Sequence, residues 1–336
     1  MKHEEFTLLD ATLRDSSYAV DFQFTKFDYK AICAGLEQAG VKMIELGHGL
    51  GLGASSEQNG YSRETDETYL ATAAETLKVA KFGCFFIPHI GTTEDIVVAR
   101  SLGASFIRIG CDVTHIDQAR EYTDLAKAQG FLVSLNPMKS YLVSPKELAT
   151  IANNADTWGS VDIFSVVDSA GSMTPIGVSD YVYECKQNSD LRIGFHGHNN
   201  LGLANANCLA AAESGASVVD ATLRGMGRSA GNAQTEVIAH LLKEYRYDEQ
   251  LDVPRLLKLV RETVEPLMKR EQGIPPLDVL FGITKFHSSK LKQVEKISKD
   301  FGVDLETLIY ALGQSQARDQ EESEIESIAK SLSHGI

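Results

Sequence analysis

Along the chain, short apolar runs rich in β-branched and aromatic residues alternate with longer stretches in which apolar side chains return every three or four positions. The short runs carry too few polar positions to face water on one side, so they read as strands covered on both faces. Each is followed by a segment of helical period. Eight strand candidates precede residue 245, at 6–10, 43–47, 83–88, 106–110, 131–136, 163–168, 193–198 and 218–223. Thr25, Thr92, Ser144 and Thr174 stand just ahead of helical stretches and are expected to cap them. Repeated strand-then-helix units predict a parallel sheet. The first strand is followed by no dinucleotide glycine fingerprint, which favours a closed (β/α)₈ barrel over an open doubly wound sheet.

Past residue 245 the strand signal stops. Residues 251–336 read as helices broken at Pro254, Pro266 and 273–276. The expected organisation is a barrel over 1–248 and a helical C-terminal domain over 249–336. The charged tail at 319–333 is expected to fray.

A length of 336 residues accommodates one barrel of about 250 residues plus such an appendage. The net charge of -14 leaves no basic surface for tracking phosphates, so nucleic acid is excluded as a partner and small substrates are favoured. Cys33, Cys84, Cys111, Cys185 and Cys208 show no CxxC spacing and are odd in number, which fits a reducing cytoplasm. The opening MKHEEFTLLD lacks an apolar core after a basic start, and no apolar stretch matches a membrane span. The expectation is a cytoplasmic protein without a membrane segment.

Barrel enzymes carry their chemistry at the C-terminal ends of the strands, so the residues delivered there form the candidate site. The first strand runs into Asp10, Arg14 and Asp15, the second into Glu45 and His48, and the sixth into Asp168 and Ser169. The seventh ends in His196-Gly197-His198, and the eighth leads to Arg224, Gly231 and Asn232. Side chains alternate along a strand, so His196 and His198 point to the same side and can share one metal ion. Asp15 adds a hard anionic oxygen, and this mixed set suits Mn²⁺, Mg²⁺, Co²⁺ or Zn²⁺ without choosing among them. Three protein ligands leave positions for the carboxylate and keto oxygens of a 2-oxo acid, on which the ion acts as a Lewis acid. Arg14, fixed in charge and forked, is expected to stabilise the oxygen of a developing enolate. Ser169 and its neighbouring amides are the candidate grip on the substrate carboxylate. The competing roles are ordinary ones: a turn cap for Asp15, a structural ion pair for Arg14, hydrogen-bonded surface imidazoles for the histidines, and a plain tight turn for 168–171.

Leu13-Arg14-Asp15, His196-Gly197-His198 and the run GMGRSAGNA at 225–233 together resemble the DRE-TIM metallolyases, in the same order and over nearly the whole chain. That family comprises pyruvate-class aldolases, 3-hydroxy-3-methylglutaryl-CoA lyase and Claisen enzymes such as isopropylmalate and homocitrate synthases. The His-Gly-x-Gly-Leu run within 44–56 and Phe286-His287-Ser288-Ser289 are similar to the aldolase branch. The resemblance implies that Arg14 stabilises the enolate and that Asp15, His196 and His198 hold the metal. Asn232, on the family's AGNA motif, becomes a weaker ligand or a near contact, with a loop cap as its alternative. Asp168-Ser169 matches the aldolases' contact to the substrate carboxylate. The implied cofactor is a divalent metal, with Mn²⁺ first among the four. The implied reaction cleaves or forms a 4-hydroxy-2-oxo acid, with pyruvate or a related 2-oxo acid and an aldehyde as the small-molecule partners. The C-terminal domain implies either an aldehyde dehydrogenase partner or a homodimer.

The chain departs from that pattern in two places. The aldolases carry Asp-Gly-x-His after the arginine, with the histidine as general base, where this chain has Asp15-Ser16-Ser17-Tyr18. A phenol has a pKa of about 10 and serves as a base only if metal or arginine charge lowers it, so His48 or a metal-bound water are the alternatives to Tyr18. Ile283 lies near where the aldolases carry a tyrosine facing the aldehyde-derived part of the substrate, which points to a different aldehyde or a bulkier 2-oxo acid. Three rivals stand beside the aldolase. An acyl-CoA Claisen synthase lacks support because the synthases' Gly-Glu-Gln after Arg-Asp is missing. A non-haem Fe(II) oxygenase shares the two-histidine, one-carboxylate set but not the barrel pattern with Arg14. A non-catalytic descendant would have kept the metal site as a binding protein.

Overall fold

The computed structural model of the chain describes residues 6–269, 273–315 and 321–333. Eight parallel strands close on themselves in sequence order: β1 (Thr7–Asp10), β2 (Met43–Leu46), β3 (Lys81–Phe86), β4 (Phe106–Asp112), β5 (Leu132–Met138), β6 (Ile163–Asp168), β7 (Arg192–Gly197) and β8 (Val218–Ala221), with β8 pairing back onto β1. The expected (β/α)₈ barrel is the fold. β8 is shorter than its apolar pattern, because Leu223–Gly225 closes into a 3₁₀ turn.

All four expected caps form. The Thr25, Thr92 and Ser144 hydroxyls accept the backbone N–H of Asp28, Asp95 and Glu147, whose carboxylates bond back to the capping residue. Thr174 accepts the N–H of Gly177. Each cap satisfies donors that the helix itself leaves open and stabilises its start by about 1 kcal/mol.

Strand alternation layers the barrel interior. Leu9, Met43, Phe106, Ile163 and Val218 form an apolar plug with Leu132. Two residues further along the same strands stand Glu45, Arg108, Ser134, Ser165 and Asp220, all buried. The plug excludes water from below, and the polar layer becomes the floor of a cavity open at the C-terminal ends of the strands.

After β8 the chain continues through helices Thr235–Glu244 and Val253–Leu259, and Leu256, Leu259, Val260 and Val264 join the barrel's own core. A second apolar core gathers Phe281, Phe286, Val294, Ile297, Leu308 and Leu312 with neighbours from the helices Pro276–Thr284, Leu291–Phe301, Leu305–Gln314 and Glu322–Ser333. Pro254 and Pro276 lie in the first turns of helices, where a missing N–H leaves no intrahelical bond unmade, and Pro266 sits in a 3₁₀ turn. The tail expected to fray is instead a helix over Glu322–Ser333. Ile325 and Ala329 are fully buried in the second core, and roughly 2 kcal/mol from the isoleucine alone holds a segment whose charges face outward. Residues 319 and 320 of that expected tail lie outside the described residues.

Among the described residues no helix is long and apolar enough to cross a membrane. All five cysteines are buried and unpaired.

Candidate metal centre and active-site cavity

The helical turn Thr12–Asp15 carries Asp15 inward from the end of β1, while β7 delivers His196 and the residue after it places His198 beside it. One donor atom from each of the three lies within 4.8 Å of the others, and all three side chains are buried. Both imidazoles are oriented by a bond from Nδ1: His196 to Asp220 Oδ2 at 3.0 Å and His198 to the carbonyl of Gly231 at 3.2 Å. With Nδ1–H donated to those oxygens, each ring presents its Nε2 lone pair as the ligand atom.

Burial pulls the Asp15 carboxyl upward, but the Arg14 guanidinium and the two imidazoles outweigh it and hold the group well below the usual carboxylate range. Burial pushes His198 down to about 3, so its ring is neutral at physiological pH. Asn232 reaches the same point because a bridge pairs it with His198. Its Nδ2 donates to Asp15 Oδ2 and to the carbonyl of Met226, which leaves Oδ1 buried without a hydrogen-bond partner among the described residues. Two imidazoles that present Nε2, a carboxylate and an orphaned amide oxygen fit a divalent cation by donor chemistry.

Beneath this cluster runs a chain of buried opposite charges. Arg14 donates from Nε to Glu45 at 2.8 Å and from Nη1 to Asp15 at 2.7 Å. Glu45 also accepts from Arg108 at 3.1 Å, and Arg108 bonds Asp220, the carboxylate that orients His196. Burying each of these ions alone would cost several kcal/mol, and mutual pairing is what keeps them charged inside the barrel. Arg14 also lies 4.9 Å from the Phe85 ring centroid. Glu45 was visible in the sequence as a strand end. Arg108 and Asp220 were missed, although a lone charge inside an otherwise apolar strand, two positions after an inward side chain, was the available signal.

Arg14, Asp15, His196 and His198 line one cavity of about 300 Å³, together with Tyr18, Ser169, Lys139, Arg228 and an apolar wall that includes Leu50, Phe85, Ile87 and Ile90. Of the candidate bases, Tyr18 lines this cavity, but burial raises its pKa further than the nearby Arg228 charge lowers it, so the phenol keeps its proton. His48 is 1% exposed, stacks on Phe22 with ring centroids 4.1 Å apart, and accepts the Leu50 N–H at 3.1 Å; it is absent from the cavity lining. Ser169 lines the cavity and accepts the Lys139 N–H at 3.0 Å. Asp168 points away from this task, because its carboxylate accepts the N–H groups of Ser172 and Met173 and shapes the turn. Arg224 turns outward to Glu265.

Ile283, expected near the aldehyde end of the substrate, is 57% exposed and does not line the cavity. The C-terminal helical region instead contributes His287 and Ser289 to the lining. In the sequence the motif Phe286-His287-Ser288-Ser289 carries only a family likeness, since nothing local in it shows that it folds back over the barrel.

The HMGL-like family model matches residues 5–264. The chain is 35% identical over 330 residues to the 4-hydroxy-2-oxovalerate aldolase of Carboxydothermus hydrogenoformans, with 98% of each chain covered. It is 37% identical over 329 residues to the protein of the same name from Pelotomaculum thermopropionicum, covering 98% of this chain and 96% of the relative. Among solved structures, the carboxyl transferase domain of Rhizobium etli pyruvate carboxylase with pyruvate has a TM-score of 0.77 at 16% identity over 100% of this chain and 61% of that one, a likeness of fold. With the family model spanning the whole barrel and the named relatives aligning from end to end, this chain belongs to the HMGL-like family.

Proposed function

We propose that the protein is a divalent-metal-dependent carbon–carbon lyase that cleaves a 4-hydroxy-2-oxo acid to pyruvate or a related 2-oxo acid and an aldehyde, or runs the reverse condensation. The observation that carries this reading is the meeting of Asp15, His196 and His198 about one point, with Arg14 paired to the same aspartate at 2.7 Å. Asp15, His196 and His198 would hold the ion, with Asn232 Oδ1 as the nearest further oxygen. Mn²⁺ is the metal proposed, and Mg²⁺, Co²⁺ and Zn²⁺ suit the same donors. When bound, the ion supplies Lewis acidity towards the 2-oxo and carboxylate oxygens of the substrate.

The chain's own residues do the rest. Glu45 and Asp15 hold two nitrogens of Arg14, while Nη2 has no partner among the described residues and donates to the 2-oxo oxygen as charge develops on it. Ser169, whose oxygen already accepts the Lys139 N–H, donates its own hydroxyl proton to the substrate carboxylate. Tyr18, held protonated, donates to a substrate oxygen. Leu50, Phe85, Ile87 and Ile90 exclude water and receive the aliphatic part of the aldehyde.

The test is exchange of the pyruvate C3 protons with deuterium by metal-loaded protein, read by NMR, alongside release of pyruvate from 4-hydroxy-2-oxo acids. Neither signal appearing would sink the reading. Release of free CoA thiol from acetyl-CoA and a 2-oxo acid would replace it with the Claisen synthase. The helical region 249–336 is proposed to serve a homodimer or a contact with an aldehyde-consuming dehydrogenase, supported by the exposed Ile283 and Tyr310 on its helices.

A further inference from the structure

The cavity holds three imidazoles among its described lining residues: His196, His198 and His287. The first two are committed by their Nδ1 bonds to presenting Nε2 towards the metal point. His287 comes from the C-terminal helical region and is not one of the donors gathered at that point. The residue at the position of the family base, Tyr18, keeps its proton, and His48 does not line the cavity.

The bonding of His287 settles which nitrogen carries a lone pair. Arg228 Nη2 lies 2.7 Å from Nε2, and a guanidinium can only donate, so Nε2 is the acceptor. Nδ1 therefore carries the ring proton and donates it to Ser289 Oγ at 2.7 Å, the shorter of its two contacts, the Ser289 backbone N–H standing off at 3.4 Å. This is the arrangement of an oriented base: one nitrogen tied back to a neighbouring oxygen, the other turned to a polar partner in the cavity. The guanidinium of Arg228 lies 5.9 Å from the Tyr18 ring centroid as well, so one cation joins the vacated base position to the histidine. Burial, reinforced by the charges of Arg228 and Lys139, keeps the imidazole well below its usual pKa and therefore unprotonated at neutral pH.

The segment bearing His287 is fixed to the barrel rather than lying loosely over it. Asp278 accepts a hydrogen bond from Ser229 Oγ, and its carbonyl accepts one from Asn200 Nδ2 at 2.9 Å. Gly282 packs so closely that a Cβ there would lie 2.8 Å from Leu201 and 3.2 Å from Asn200. Both anchors, Asn200 and Ser229, sit on the loops that follow His198 and Arg228, so the ring's position is tied to the metal point's own loops.

Resting on the aldolase reading above, we infer that His287 is the catalytic base, placed in this chain on the C-terminal helical region instead of after the first strand. As the substrate enters, its 4-hydroxyl replaces the Arg228 N–H at Nε2. Nε2 takes the hydroxyl proton, the C4–O bond becomes a carbonyl, and the C3–C4 bond breaks with its electron pair passing to C3 as an enolate. The proton on the imidazolium then returns to C3, giving the 2-oxo acid, and the adjacent Arg228 charge favours that return.

The experiment compares His287→Ala and Tyr18→Phe with the wild type, all loaded with Mn²⁺, in two reactions. Cleavage of 4-hydroxy-2-oxopentanoate needs the hydroxyl proton removed, whereas decarboxylation of oxaloacetate reaches the same enolate by loss of CO₂ and needs no base. His287→Ala is expected to lose about 100-fold or more in cleavage, to retain decarboxylation, and to regain cleavage partly with added imidazole. Tyr18→Phe is expected to lose less cleavage than His287→Ala. Wild-type cleavage in His287→Ala, or loss of both reactions together without imidazole rescue, overturns the assignment. A wild type that performs neither reaction fails at the aldolase reading itself, and the assignment of His287 falls with it.

Discussion

Asp220 accepts the Nδ1–H of His196 at 3.0 Å while it is also bonded by Arg108, so a carboxylate outside the ligand set decides which nitrogen of the histidine faces the metal point. Asp220→Asn keeps the shape but can present its amide N–H₂ to Nδ1, favouring the opposite tautomer. The metal affinity is expected to fall about 10- to 100-fold, read by competition with a chromogenic chelator. Unchanged affinity would show that Asp220 only neutralises Arg108.

Arg14 holds Glu45 through Nε and Asp15 through Nη1, which leaves Nη2 for the proposed contact to substrate, and a lysine cannot reproduce that fork. Arg14→Lys is expected to lower kcat by about 100- to 1000-fold with a smaller change in KM, because the lost donor acts on charge that exists only as the bond breaks. Steady-state kinetics with the cleavage substrate checks it. A change confined to KM would assign Arg14 to ground-state binding.

Gly227 has no room for a side chain. A Cβ there would overlap the Asn232 amide and lie 3.1 Å from Asp15 Oδ2. Gly227→Ala is expected to weaken metal binding by about 10-fold while circular dichroism stays that of the native fold. Normal metal binding in that variant would mean that Asn232 can move without disturbing the ligands.

Asp10 ends β1 and faces the helix Thr235–Glu244, accepting from the Thr12 N–H and the Thr235 hydroxyl, and burial raises its pKa to about 6. The folded state therefore binds its proton more tightly than the unfolded chain does. The resulting stability is complete below about pH 4 and is lost as pH rises through about 6, on the order of 3 kcal/mol. Denaturant unfolding across that window should show the wild type losing stability relative to Asp10→Asn. A constant difference between the two would refute the shift.

Much of this architecture could be read from residue patterns because the physics involved is local or periodic. A strand covered on both faces is apolar along its length, as at Phe82–Phe86, and a hydroxyl three residues before an acid marks a helix start, as at Thr25 and Thr92. The two-residue spacing of His196 and His198 likewise follows from strand alternation. The charge chain was harder to see, since Glu45, Arg108 and Asp220 come from three separate strands and their pairing depends on how far the barrel twists. His287 was harder still. Its place over the cavity rests on Asp278 meeting Ser229 and Asn200, contacts between residues 49 and 78 positions apart. The helical tail was misread because its two inward side chains, Ile325 and Ala329, are sparse among charges and gain their meaning only from the core they enter.

The buried ion chain also dictates an order of events. Asp15, Glu45 and Asp220 bring three negative charges to the barrel floor against the two positive charges of Arg14 and Arg108, a balance of minus one. A substrate carboxylate meets repulsion from such a floor, set against the attraction of Lys139 and Arg228 in the cavity wall. A dication held there would reverse the sign to plus one, which a monoanionic acid would neutralise, so this floor favours the cation first and the acid second.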